Sequence, residues 1–185
     1  MSMAAARAAV LLEYPLEAPE SCSVTRVAEE IYWLRMPLPF ALEHINLISG
    51  DRVLPRISTN VSVWPMEPEG DPLAQYLHSL ERLRELPPVT LVLPSHGLPF
   101  RGLHRRIDEL CAHHEARLTR TLEVCREPRA AAELLPGLFG RDFNDYQLLF
   151  AMGEAIAHLN HLMHAARLAR CADDDGCYRF ERTAH

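Results

Sequence analysis

Two side chains in this sequence have the type and setting of metal donors. Asp51 ends Ile48-Ser49-Gly50-Asp51, a carboxylate just past a Ser-Gly turn, and His96 sits in Leu93-Pro94-Ser95-His96-Gly97, an imidazole carried by a turn bounded by Pro and Gly. Carboxylate oxygen and imidazole nitrogen both ligate zinc. A zinc held by three protein ligands lowers the pKa of a bound water to about 7, which makes hydroxide available for hydrolysis at neutral pH. Two protein ligands are too few, because the ion stays mostly hydrated and weakly held. Each residue also has an ordinary alternative: a turn carboxylate for Asp51 and a structural imidazole for His96.

The remaining histidines do not complete the set. None of the 10 histidines falls in an HxH spacing. His158, His161 and His164 follow one another at three-residue steps and drift around a helix, which suits packing better than coordination. His44 lies near Asp51 in sequence but in no ligand motif. The five cysteines (Cys22, Cys111, Cys125, Cys171 and Cys177) are odd in number and lack CxxC pairing, so they read as free thiols.

The elements that must position these residues follow from apolar periodicity and turn chemistry. Residues 1–23 show no period and read as a mobile leader. Val24 to Leu34 reads as a strand region, Pro37-Leu38-Pro39-Phe40 as an extended turn, and Ile45 to Ile48 as a strand running into the Asp51 turn. Val53 to Val63 is a strand or loop laid across a sheet face. Asp71 caps and Pro72 opens an amphipathic helix to Leu86, with Leu73, Tyr76, Leu77, Leu80 and Leu83 at helical spacing. Val89 to Leu93 is a short apolar run that reads as a strand buried on both faces, ending at the His96 turn.

Beyond it, 102–125 is a long helix with Ile107, Leu110, Cys111, His114, Leu118 and Leu122 on one stripe. Pro128 opens a shorter helix through Leu135, and Phe143 to Leu168 is helical, capped by Asn144 or Asp142, with Leu148, Met152, Ile156 and Leu159 on its apolar face. Arg170 to Arg182 reads as a hairpin turning at Asp173-Asp174-Asp175-Gly176. Three helices followed by a hairpin describe a winged-helix module.

Net charge is −6, and all 19 basic residues are Arg. Residues 1–100 carry 7 Arg against 12 acids and residues 101–185 carry 12 against 13, so neither half offers the basic stripe that nucleic acid requires. The third helix of the winged-helix module, Gln147 to His164, has no Arg with which to hold phosphate or read a base. Nucleic acid is therefore not an expected partner. No stretch approaches the roughly 20 apolar residues of a membrane span, and the Ala-rich start is too short and poorly flanked for a signal peptide. The expectation is a cytoplasmic chain without a membrane partner.

Several segments together resemble the metallo-β-lactamase-fold hydrolases that carry a C-terminal winged-helix domain. They are Arg35-Met36-Pro37-Leu38-Pro39-Phe40 with His44-Ile45-Asn46-Leu47, Ser49-Gly50-Asp51 through Leu54-Pro55-Arg56-Ile57-Ser58, Leu93-Pro94-Ser95-His96-Gly97, and Met152-Gly153-Glu154-Ala155 with His158-Leu159-Asn160. The resemblance implies an α/β fold: a partial αββα metallo-β-lactamase sandwich over 24–102, then a mainly helical winged-helix domain over 103–185. It implies zinc, with Asp51 in the position that bridges two metals and His96 in the position that closes the second site.

It also implies a departure. The HxHxDH signature and the histidine after it have no counterpart, since Asn46-Leu47 runs almost directly into Ile48-Ser49-Gly50-Asp51. The expected function is metal-hydroxide hydrolysis of a thioester, lactam or phosphodiester by descent, impaired or lost in this chain by a large internal deletion. A small molecule is the expected substrate wherever activity survives. The competing expectation is a non-catalytic interaction module acting through its helical region, with a homodimer as the simplest way to cover apolar surface that the deletion exposes.

Overall fold

The structure is a computed structural model that describes residues 13, 17, 24–28, 31–37, 44–46, 52–140 and 143–183. Apart from Glu13 and Glu17, the expected leader 1–23 lies outside the described residues, and so do Asp51 and Asp142. Two compact units account for the chain, and both are discontinuous in sequence. The first takes residues 1–57 and 86–106, the second 58–85 and 107–185.

In the first unit, β1 (Val24–Ala28), β2 (Ile31–Pro37) and β3 (His44–Asn46) form an antiparallel sheet in the order β1-β2-β3. Val24 pairs with Leu34 and Arg35 with Asn46, with a bulge between Arg26 and Ala28. The expected strand region thus holds two strands, β1 and the start of β2, and the chain doubles back between them. The run Val89 to Leu93 is not a doubly buried strand. Val92 makes one isolated antiparallel bridge to Phe100, through N–H···O bonds of 2.8 and 3.0 Å, and Val89 is 72% exposed. Pro87-Pro88 before the run and Pro94 after it remove the donors that a longer ladder would need.

The second unit is helical. Its first helix, α1 (Pro72–Leu83), starts where Asp71 accepts a hydrogen bond from the Ala74 amide at 2.8 Å, and it buries Leu73, Tyr76 and Leu80. Helix α2 (Leu103–Val124) begins in the first unit and buries Ile107, Leu110, His114, Leu118, Thr121 and Leu122 in the second. After a 3-10 turn at Ala131–Leu134 come α3 (Leu135–Phe139) and α4 (Asp145–His164). Asn144 caps α4 in a reciprocal box with Gln147. Strands β4 (Leu168–Ala172) and β5 (Tyr178–Arg182) pair antiparallel, as the hairpin pattern predicts. Asp173 braces their turn by accepting from the Asp175 and Cys177 amides and from Arg179 Nε.

The buried face of α4 departs from its expected stripe. Leu148 is 41% exposed and Met152 and Ile156 are half-buried, while Leu159 is buried as expected, together with Ala151, Gly153, Ala155, His158 and Leu162. Small residues there let the chain segment at 62–63 lie directly on the helix, with the Val63 amide donating to the Gly153 carbonyl at 3.0 Å. A Cβ on Gly153 would come within 2.7 Å of Ser62 Cβ and 3.1 Å of the Val63 carbonyl oxygen. Gly153→Ala is accordingly expected to destabilise the protein by about 1–3 kcal/mol through overpacking. Urea unfolding measures this, and adding Ser62→Gly, which removes the opposing atom, should recover part of the loss.

Candidate functional site

His96 lines a cavity of about 370 Å³ in the first unit, walled by Leu54, Pro55, Arg56, Ile57, Gly97 and Leu98. Two backbone segments form it, and each is held in place. Arg106, in the first turn of α2 and only 9% exposed, donates from Nε to the Leu54 carbonyl at 2.7 Å and from its terminal nitrogen to the Ile57 carbonyl at 3.1 Å. A guanidinium cannot shed its charge, so burial is tolerable only where its donors are met. The 54–57 segment is tied at both ends by this one side chain.

The second segment is the His96 turn. Gly97 has φ of +89°, which L side chains rarely adopt, and a Cβ there would lie 2.7 Å from Pro55 Cγ. The turn therefore packs on the 54–57 segment in a way that glycine alone permits. The sequence singled out His96 and quoted Arg56 and Gly97 in passing. It gave no sign of Arg106, whose partners lie 52 and 49 positions away.

Asp51, the other expected ligand, lies outside the described residues. Among the described residues no three His, Cys, Asp or Glu side chains come together in a way that could hold a metal. His96 is the one residue of those types among the described residues on the cavity wall. The described residues do not fit a catalytic zinc, which takes three protein ligands.

The helical histidines have separate partners in the second unit. His161 Nδ1 lies 3.1 Å from Asp71 Oδ2, and His164 Nε2 lies 3.1 Å from the Glu69 carbonyl. His158 is fully buried and meets His114, also fully buried, with His114 Nδ1 3.3 Å from His158 Nε2. Their tautomers follow from the acceptors. His158 Nδ1 faces the Glu154 carbonyl at 2.8 Å and must donate to it, so His158 Nε2 accepts from His114 Nδ1. This leaves His114 Nε2 a buried acceptor with no partner among the described residues.

Both imidazoles are therefore held neutral. Burial, with the positive charge of Arg117 and the neighbouring His113 and His161 adding to it, pushes each pKa down to about 3. His158 also disfavours a proton on His114. Arg117 is itself paired with Glu154 and stands 4.7 Å over the Phe139 ring.

Residues 118–183 match the family described as metallo-beta-lactamase-like, C-terminal domain. A comparison with curated protein sequences finds no match. Among solved structures, a beta-lactamase domain protein from Burkholderia ambifaria is 42% identical with a TM-score of 0.72, over 90% of this chain and 52% of that one. A metallo-beta-lactamase family protein from Thermus thermophilus is 28% identical with a TM-score of 0.63, over 92% of this chain and 55% of that one. The class is thus a partial metallo-β-lactamase fold, helical with small sheets. By its C-terminal domain and by these two neighbours, the chain is related to the metallo-β-lactamase family. It spans about half the length of the solved structures it matches. No helix among the described residues is long and apolar enough to cross a membrane.

The histidine pair makes stability depend on pH in a definite direction. With folded pKa values depressed from 6.5 to about 3, the unfolded chain binds protons that the folded one refuses, so stability falls as pH drops below 6.5. At pH 5 the expected loss is about 2 kcal/mol per histidine. Urea midpoints between pH 7.5 and 5 test this, and a His114→Phe, His158→Leu double variant should lose most of the slope.

Proposed function

We propose that this chain descends from a metal-dependent hydrolase and keeps the ligand-binding side of its site while the hydrolytic side is impaired. The observation that carries the reading is the His96 turn, which lines a cavity of ligand size beside a segment anchored by Arg106. The relationship to the metallo-β-lactamase family supports hydrolysis of a small thioester, lactam or phosphodiester as the ancestral chemistry. The near-direct join of Asn46-Leu47 to Ile48-Ser49-Gly50-Asp51 supports a large internal deletion as the cause of the loss. The helices and terminal hairpin of the second unit are read as a winged-helix domain, and the chain as cytoplasmic.

Metal analysis of purified protein tests this reading. The expected outcome is well below one zinc per chain after exposure to zinc and desalting. Zinc near or above one per chain that disappears in Asp51→Ala and in His96→Ala would establish a working metal site and refute the impaired reading.

A second reading, a non-catalytic interaction module, draws on apolar surface in the second unit. Trp64 is 48%, Tyr146 73% and Leu149 54% exposed. Trp64 and Leu149, together with Phe150, Met152 and Ile156, line a groove of about 170 Å³. A second copy of the chain is the occupant expected under this reading. Sedimentation equilibrium should then give a dimer that Leu149→Asp returns to monomer, and a wild-type monomer at every concentration would rule the reading out.

A further inference from the structure

Among the described residues, the cavity beside His96 has one full charge on its wall. Arg56 is exposed, lines the cavity, and makes no ion pair or hydrogen bond among the described residues. Its neighbours in sequence are the anchored ones: Arg106 holds the carbonyls of Leu54 and Ile57 on either side, and Pro55 is buried under Gly97. Arg56 thus stands on a backbone that is fixed before any ligand arrives, while its side chain reaches into open space. Leu54, Pro55, Ile57 and Leu98 supply apolar wall, and no carboxylate is among the described lining residues. A planar fork of donors matches the oxygens of a carboxylate or phosphate, and a volume of about 370 Å³ falls in the range that takes a small molecule.

We propose that the cavity binds a small anion with an apolar body, a short-chain carboxylate or phosphate ester, whose oxygens pair with Arg56 while its chain lies along Leu54, Ile57 and Leu98. This rests on the reading of the His96 turn as a ligand site, and it does not require a metal. Arg56 selects for the anion, and Arg106 is a positioning residue that acts through the 54–57 backbone. The preorganised backbone reduces the ordering cost that a mobile loop would impose on binding.

The test uses the whole chain, stripped of metal with chelator, and methyl-labelled NMR with hexanoate, hexyl phosphate and hexanol as probes. Hexanoate or hexyl phosphate should shift the Leu54, Ile57 and Leu98 methyl signals to saturation in the millimolar range. Hexanol should bind at least about tenfold more weakly. Arg56→Gln should weaken binding of the anions by about tenfold and leave hexanol unchanged, and Arg56→Lys should recover part of the loss by restoring a point charge. Whichever anion binds more tightly identifies the headgroup.

Equal binding of hexanol and the anions, or anion binding indifferent to Arg56→Gln, overturns the proposal. So does the absence of saturable shifts at those three residues. Repeating the titration after zinc addition separates the two readings. Zinc uptake with binding that still depends on Arg56 refutes the impaired reading and keeps the anion pocket, whereas no zinc uptake with binding indifferent to Arg56 removes the pocket and leaves the impaired reading standing.

Discussion

A single buried guanidinium holds the cavity in shape. Arg106 sits where α2 begins and has little contact with water, so its charge is compensated by the carbonyls of Leu54 and Ile57. Removing such a group strands two acceptors, and removing the acceptors strands a charge that cannot be neutralised by losing a proton. The helix start and the loop are therefore conditional on one another. Everything that gives the His96 turn a surface to face, from the buried Pro55 to the outward Arg56, depends on that tie.

The second unit uses the same logic with neutral groups. Its core accepts two histidines because each finds a partner: His158 donates to the Glu154 carbonyl and accepts from His114. Small side chains on α4 bring other elements near enough for such contacts, as when the Val63 amide reaches the Gly153 carbonyl. Asn160 extends the pattern, donating to the carbonyls of Pro68 and Gly70 just ahead of α1, while Asp71 caps α1 and faces His161. Polar side chains of α4 thereby hold the turn that launches α1, which places residues 58–85 with the C-terminal helices.

Much of the secondary structure was legible because its causes are local. Asp71-Pro72 marked the start of α1, Asn144 capped α4, and Asp-Gly chemistry announced the terminal hairpin. The errors arose where a local rule met a distant partner. Val89 to Leu93 has the composition of a central strand, yet flanking prolines and a single bridging partner at Phe100 leave it irregular. On α4 a stripe of Leu148, Met152, Ile156 and Leu159 looked like the buried face; Leu159 is buried, but close approach by the 62–63 segment favours the side carrying Ala151, Gly153 and Ala155 over Leu148.

By itself the sequence determined where α1 and α4 start, the extent of α2 to within a residue, the hairpin turn, the acidic balance, and the resemblance carried by short motifs such as Leu93-Pro94-Ser95-His96-Gly97. These depend on neighbours within a few residues, where propensity, capping and spacing act. Only the tertiary structure decided that Arg106 anchors 54–57, that Gly97 lies against Pro55, and that His114 and His158 form one buried pair. Those contacts join residues about 40 to 50 positions apart. Their energies come from burial and from satisfied polar groups, which exist only once the chain has closed around them.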